Sequence, residues 1–587
     1  MESVADRVEN EGGEAVRHRQ PVALHRGADA DVAIHGIIVV LLCALGLSFM
    51  ITRRLDVGSW PANVGLTAAM LGAGLIPLLR LRLLPPIRFD AGRILVTLAA
   101  FAVGVVAASQ LLTSSLLPVS TSVDAAHHLI LIDAIREHGS LPTSSAGNLT
   151  IMGAYPFGAH LIAAVSSAVF RLDPTRAMNL VGFAILALIA AAIAGIGARV
   201  GQLVFPSVRR DIVYAATVVC TIGLVIAPVY WTRTIVTGDY FFGQILGLYL
   251  AMAVVLFVVE SRSDPRLGWL AVIAAMALVF SYTLYLPVAL LALVMVGVQC
   301  QRDYGWRRAV RIAATSIVAI SVSLALFLPG RAGLGKSLLN QEGGITSPTV
   351  ARLGGPLLLA LCVIGGLVAA VTGVRRRQFV LLAPVVAGLG AVLCRLTLLK
   401  GKEGGHFGSV YYATKFVYAA FYCGLALSPV ALVGAVAMTR RLSARLARYI
   451  EVAPRERGSL LTALSALGLL FFVGFGPRYA QGVTSVVPDD FAVARWASAH
   501  VDPAQVDVRV SYVGGYYLWV GVLDHGIGMD SLTHFGNPYA PVNVSDWTSS
   551  QFQYVLLPCA RVPEIDATGQ ATHLVFQSGT SCLLGRS

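Results

Sequence analysis

The sequence predicts a polytopic α-helical membrane protein of about thirteen spans with a small α/β domain at its C-terminal end. Three observations carry this. The 587 residues are 56% hydrophobic and 13% charged, with a mean hydropathy of +0.74, far too apolar for a soluble globular chain of this length. Apolar runs of about twenty residues, the length that crosses roughly 30 Å of hydrocarbon, recur from residue 33 to residue 476. From residue 477 onward the pattern changes to one amphipathic helix and several short apolar strands.

Taken in order, residues 1–32 carry mixed charge and no short apolar core with a cleavage site, so they read as a flexible cytoplasmic tail and not as a signal peptide. Spans are expected at 33–51, 61–79 and 94–112, then at 178–198, 212–231, 242–260, 267–282, 284–300, 312–329, 355–373, 379–397, 414–438 and 459–476. The stretch 113–177 between the third and fourth spans is expected to be one large external loop. It carries two helices, at 122–138 and 155–172, lying on the outer membrane surface. Orientation follows from arginine: the connections "RLRLLPPIRFDAGR" (80–93), "SVRRD" (207–211), "RDYGWRRAVR" (302–311), "RRRQ" (375–378) and "RRLSARLARYIEVAPRER" (440–457) all fall on the side of the N-terminus. Short cytoplasmic loops collect positive charge, so the N-terminus is placed inside and, with an odd number of spans, the C-terminus outside, in the cytoplasmic membrane. Only "TRRLD" (52–56) is basic on the wrong side. The C-terminal unit, 477–587, is expected to be an extracytoplasmic α/β domain with a helix at 489–500 and strands near 506–514, 553–558 and 572–578.

The net charge of +13 is spread over these connections and reports orientation, so nucleic acid is not an expected partner. Of eight cysteines, six fall in or beside apolar runs as packing residues. Cys559 and Cys582 lie in the polar C-terminal region, where an oxidising compartment would allow a disulfide.

The chemistry-bearing residues concentrate in the external loop. In "VDAAHHLILIDAIREHG" (123–139) helical spacing puts Asp124, His127, His128, Leu131 and Ile135 on one stripe, with Asp133 off it as a solvated partner of Arg136. Asp124 suits either a helix start or a general base, with the imidazoles positioning a substrate. A divalent metal on the same three groups lacks a fourth ligand nearby, so no metal or other cofactor is expected. The lysines are Lys336, Lys400, Lys402 and Lys415, all in connections placed outside. Lys415 stands among aromatics in "VYYATKFVYAAFY" (410–422), where an ammonium can meet a lipid phosphate while its stem packs on apolar surface. Lys402 and His406 lie in "KGKEGGHFGSVYY" (400–412), and Asp239 in "TRTIVTGDYFFGQ" (232–244) is the second candidate acid. Tyr155 and His160 open the second loop helix, and Asp524, His525, Asp530 and His534 read as a polar loop of the C-terminal domain.

An early external loop with an acid near its start, a helix ending in His-Gly, a Tyr-Pro-x-Gly helix, a string of spans and an external C-terminal domain together resemble the GT-C class of integral-membrane glycosyltransferases. The residues that carry the resemblance are "VDAAHHLILIDAIREHG" (123–139) and "YPFGAHLIAAVSSAVF" (155–170). The resemblance implies a polyprenyl-phosphate-linked sugar as donor and an extracytoplasmic glycan or lipid as acceptor. It gives Asp124 the role of catalytic base, with substrate contacts from His127, His128, Tyr155, His160, Asp239, Lys402, His406 and Lys415. The acidic pair common in the class is absent, because Ala125 follows Asp124, which favours a metal-independent member using a lipid monophosphate. Two other functions fit the architecture. A polysaccharide polymerase or ligase would use Arg331 and Arg352 on a lipid diphosphate, and a transporter or flippase would show ionisable groups within spans, of which Glu260 at an inner edge is a rare example.

Overall fold

A computed structural model describes residues 28–80, 86–109, 124–142, 149, 152–153, 155–226, 242–329, 355–403, 410–446, 487–525, 543–548 and 550–587. Residues 28–32, expected to be flexible, form a short strand and the start of the first helix, while residues 1–27 of the expected tail and the expected span at 459–476 lie outside the described residues. So do Asp239, Arg331, Lys336, Arg352, His406, Asp530 and His534.

The membrane region is built from α1 (Ala30–Arg54), α2 (Trp60–Arg80), α3 (Ala91–Ser109), α4 (Asp124–His138), α5 (Gly158–Phe170), α6 (Pro174–Val204), α7 (Arg210–Ile226), α8 (Phe242–Glu260), α9 (Leu267–Tyr282), α10 (Leu286–Tyr304), α11 (Trp306–Phe327), α12 (Gly355–Arg375), α13 (Ala383–Glu403), α14 (Val410–Leu425) and α15 (Ser428–Leu446). Among the described residues eight helical runs are long and apolar enough to cross a membrane, in place of the thirteen spans expected. The difference has identifiable sources. Helices α2, α3 and α7 form where spans were predicted but are not among the eight runs counted over the described residues. The 38-residue run Leu267–Tyr304 counts once by length, yet it folds back on itself at the 3-10 turn Thr283–Tyr285, ahead of Pro287. Arg262 and Asp303, just before and near the end of this run, meet at 3.3 Å.

Two ends of the bundle are set by side chains that the alternation of helices brings together. At one end Arg93 at the start of α3 is buried and pairs with Asp29 at 2.7 Å, Asp31 at 3.0 Å and Glu260 at 2.6 Å, and Arg199 lies 3.6 Å from Glu260. Strands β1 (Ala28–Asp29) and β2 (Ile87–Arg88) pair in parallel beside it. A buried charge needs partners of this kind to offset its desolvation, so the cluster ties the starts of α1 and α3 to the end of α8. Arg376 donating to the Leu203 carbonyl (3.0 Å) and the Phe379 N–H donating to Gln299 Oε1 (2.7 Å) extend the same end to α6, α10 and the α12–α13 turn.

At the opposite end α2 is pinned to α4. Trp60 Nε1 donates to the Arg136 carbonyl and Asn63 Nδ2 to the Gly139 carbonyl, both at 2.7 Å. Gly139 closes α4 at φ +61, and a side chain there would strike Trp60, so this cap requires glycine. The loop helices do not lie loose on a surface as expected. Ala125, Ala126, Leu129, Leu131, Ile132 and Ile135 of α4 and His160, Leu161, Ala163 and Ala164 of α5 belong to the main core. Apolar residues of α4 face more than one side, so it takes cover from α5 on one flank and from the C-terminal domain on another.

That domain carries α16 (Pro488–His500), α17 (Tyr512–Tyr516) continuing as a π-helical turn Tyr517–Val522, and α18 (Val562–Asp566). Its sheet has the order β3 (Val506–Val508), β4 (Tyr554–Pro558), β6 (Ser581–Arg586), β5 (Thr572–Ser578), with β3 and β4 parallel and the other pairs antiparallel. Alternation divides the sheet: Leu556 and Leu583 face the main core while Val555, Leu557 and Leu584 join Trp547 and Ile565 on the other side. A disulfide links Cys559 and Cys582, across the end of β4 and the start of β6. The expected helix and the strands near 553–558 and 572–578 are present; the strand expected near 506–514 is only Val506–Val508, because the chain turns into α17 at Tyr512, and β6 is an addition.

Candidate functional site

The sequence pattern joins Asp124, His127 and His128 in one stripe, and α4 separates them. Asp124 is the first helical residue, and its side chain lies outside the described residues. Neighbours on a helix point about 100° apart, so the two histidines serve different partners. His127 is half-buried, and its Nε2 is 2.9 Å from the Tyr516 hydroxyl of the C-terminal domain. His128 turns into the bundle, is 4% exposed, and places Nδ1 2.8 Å from Nε2 of His160 on α5. Burial pushes the His160 imidazole down to about 3, against a small opposing pull from the Pro156 carbonyl, so this ring is neutral at physiological pH. One of the two bonded nitrogens therefore donates and the other accepts.

From this pair a line of rings leads across the bundle. Tyr155 stands edge-on to His128 (5.6 Å between centroids) and to His160 (5.8 Å), and Phe242 at the start of α8 touches both. Gly243 sits between Tyr155 and Tyr282: a methyl group added there would lie 3.4 Å from the first and 3.7 Å from the second. Tyr282 ends α9, where three other helices approach with glycine. A Cβ at Gly46 of α1, Gly158 of α5 or Gly247 of α8 would fall 2.2 Å from Phe280, 2.2 Å from Ser281 and 2.4 Å from Tyr282 respectively. This close packing holds the Tyr282 ring in place with its hydroxyl buried and, among the described residues, without a hydrogen-bond partner. Beyond it is Lys415, 1% exposed, in the first turns of α14. Its Nζ lies 4.0 Å from the Tyr411 ring centroid, 4.8 Å from that of Tyr412 and 5.7 Å from that of Tyr282, an aromatic cage of the kind that favours a cation. The Lys415 backbone is fixed by Tyr285, whose hydroxyl donates to its carbonyl (3.0 Å) while accepting from Gln244 Nε2 (2.9 Å).

The structure thus brings four predicted residues, buried His128, His160 and Lys415 and half-buried Tyr155, into one line. His127 leaves it for the C-terminal domain, and Lys402 is exposed in the last turn of α13. Asp239 and His406 are outside the described residues. Sequence reading missed Tyr282, Tyr285 and Phe242. The "SYTLYLP" break between two apolar runs was the available signal, since aromatic side chains collect where a helix pair reverses. Among the described residues no group of three His, Cys, Asp or Glu side chains converges. His525 packs face to face on Trp519 at 3.7 Å and bonds the Val506 carbonyl, which is a structural role.

Asp133 also departs from expectation. Its Oδ1 is 3.7 Å from Arg136, as predicted, but the side chain is only 20% exposed and that oxygen is covered. It lies under the C-terminal domain near Arg495, which pairs with Asp173 at 2.9 Å, while Tyr517 and Thr175 share a 2.8 Å hydrogen bond alongside. Burial outweighs both arginines and pushes the Asp133 carboxyl up to about 7.

No family model matches the sequence, and no curated protein matches it. Among solved structures the chain is similar to the Archaeoglobus fulgidus oligosaccharyltransferase in its apo form, at 13% identity and a TM-score of 0.40, over 84% of this chain and 74% of that one. It is also similar to the arabinofuranosyltransferase AftD from Mycobacteria, at 15% identity and a TM-score of 0.45, over 84% of this chain and 40% of that one. Likenesses this distant assign neither a fold family nor an activity. What the residues themselves define is a polytopic α-helical membrane protein with a C-terminal sheet domain docked on its loop helices.

Proposed function

We propose that the chain is a membrane-embedded glycosyltransferase of the GT-C class that moves one sugar from a polyprenyl-phosphate donor to a glycan or lipid acceptor outside the cytoplasmic membrane. The observation that supports this reading most is the line from His128 through His160, Tyr155 and Tyr282 to Lys415. It connects the helix opened by Asp124 to a caged cation contributed by a distant part of the chain.

In this reading the Asp124 carboxylate removes the proton of an acceptor hydroxyl. The acceptor oxygen attacks the anomeric carbon, and the bond from that carbon to the phosphate oxygen breaks, its electron pair leaving with polyprenyl phosphate. The Lys415 ammonium offsets the charge that builds on the departing phosphate, in a low-dielectric setting where such an offset is strong. Neutral imidazoles and tyrosine hydroxyls suit sugar hydroxyls, which both donate and accept. The disulfide and the gathering of arginine at the end of the bundle away from α4 support an external C-terminal domain.

The test is donor consumption by the purified full-length protein. A polyprenyl-phosphate monosaccharide and an oligosaccharide diphosphate lipid are supplied separately. Consumption of the first supports the transferase, and consumption of the second alone assigns a polymerase or ligase.

A further inference from the structure

At the end of the bundle opposite α4 lies a cavity of about 550 Å³. It is enclosed by the turn after α8, the first turn of α9, the end of α10 and the first turns of α11. Five arginines line it: Arg262, Arg266, Arg307, Arg308 and Arg311. Two of them are engaged, Arg262 with Asp303 at 3.3 Å and Arg266 with Asp264. Arg307, Arg308 and Arg311 have no carboxylate partner among the described residues, and Arg308 is stacked 4.4 Å over the Tyr304 ring, which leaves its edge open to an acceptor. These three lie on the first turns of α11. Gly305 precedes that helix and caps it with no side chain, so unpaired N–H groups add to the positive potential.

The surroundings are those of an amphiphile, not of a free anion. The inner wall is Val296 and Ile312, and Trp269 lies on the cavity with Trp306 nearby, both exposed. Along α11, Val310, Ile317, Val318 and Val322 continue as an exposed apolar strip. A free phosphate uses none of this apolar surface, whereas a lipid uses all of it.

We propose that this cavity binds the phosphate headgroup of an anionic membrane phospholipid, through Arg307, Arg308 and Arg311, with its acyl chains along the exposed face of α11. The site is remote from the Lys415 line and stands whether or not the transferase reading holds.

The experiment is native mass spectrometry of the full-length protein, released from detergent after titration with phosphatidylglycerol or phosphatidylcholine. Wild-type protein is expected to retain phosphatidylglycerol in preference to phosphatidylcholine, with inorganic phosphate failing to displace it. Retention should weaken roughly a hundredfold in the Arg307→Ala/Arg308→Ala/Arg311→Ala variant, about fivefold in Arg311→Gln, and not at all in Arg209→Ala, an exposed arginine paired with Asp211. All four side chains altered are exposed, and size-exclusion elution at the wild-type position shows that each variant is folded. Equal retention of the two lipids, undiminished retention by the folded triple variant, or displacement by inorganic phosphate would each overturn the proposal.

Discussion

Replacing Lys415 by Met separates a functional cation from a structural one. The side chain is 1% exposed and packed against three tyrosine rings, so its removal has two opposing effects on stability. Each ring contact is worth about 0.5–2 kcal/mol. Burial of the ammonium costs several kcal/mol, which Met, with an unbranched apolar stem, does not incur. The two nearly cancel, and the unfolding midpoint should move by no more than the equivalent of ~1–2 kcal/mol in either direction. Activity has no such compensation. A charge-assisted contact to a phosphate oxygen is worth about 1.5–3 kcal/mol, so kcat/KM for a lipid-phosphate donor should fall roughly 10- to 150-fold. The assay pairs transfer from a labelled polyprenyl-phosphate sugar with thermal unfolding of the same preparation. Undiminished transfer would refute the role of Lys415. A loss of activity matched by a large loss of stability would make it a packing residue.

Three further outcomes follow from particular contacts. The Asp133 carboxyl binds its proton more tightly in the folded state, at about 7 against an ordinary 3.8, so folding stability should fall as pH rises from about 4 to about 7. The slope should reach at most ~1.4 kcal/mol per pH unit, and denaturant titrations of Asp133→Asn should show that window flattened. Gly247→Ala forces a Cβ to within 2.4 Å of Tyr282 Cβ and should cost about 1–3 kcal/mol along with activity, whereas Gly65→Ala on α2 meets nothing within 4 Å and should leave both unchanged. Loss of the Cys559–Cys582 bridge, which closes a sequence separation of 23, should destabilise the C-terminal domain by about 3 kcal/mol, read by proteolysis of that domain in a Cys559→Ser/Cys582→Ser variant.

What was legible in the sequence was whatever a local pattern carries. Apolar runs marked the helices, Gly139 marked the end of α4, and the aromatic setting of "VYYATKFVY" singled out Lys415 before its cage was seen. What was not legible depends on neighbours remote in sequence. Helical periodicity placed His127 and His128 together, but only the arrival of Tyr516 on one side and His160 on the other decides that they diverge. The glycines at 46, 158 and 247 look like ordinary small residues of membrane helices, and their purpose appears only where three backbones meet Phe280, Ser281 and Tyr282. Asp133 was read as solvated because nothing near it in sequence announces that the C-terminal domain, some 360 residues further on at Arg495, covers it. The count of spans also differs, because α2, α3 and α7 are not among the eight membrane-length apolar runs of the described residues, while Leu267–Tyr304 is one run by length and two predicted spans by its internal turn.

The most direct measurement of the central claim is a donor assay with the purified full-length protein in nanodiscs, comparing wild type with Asp124→Asn. A polyprenyl-phosphate monosaccharide is supplied with an acceptor, and free polyprenyl phosphate is quantified. The expected result is release of polyprenyl phosphate coupled to sugar transfer in the wild type, and loss of at least about a hundredfold in a variant with an unchanged unfolding midpoint. Wild-type turnover by Asp124→Asn would remove Asp124 as the base. Failure of the wild type to consume the donor, with uptake of solute by vesicles instead, would contradict the transferase reading altogether.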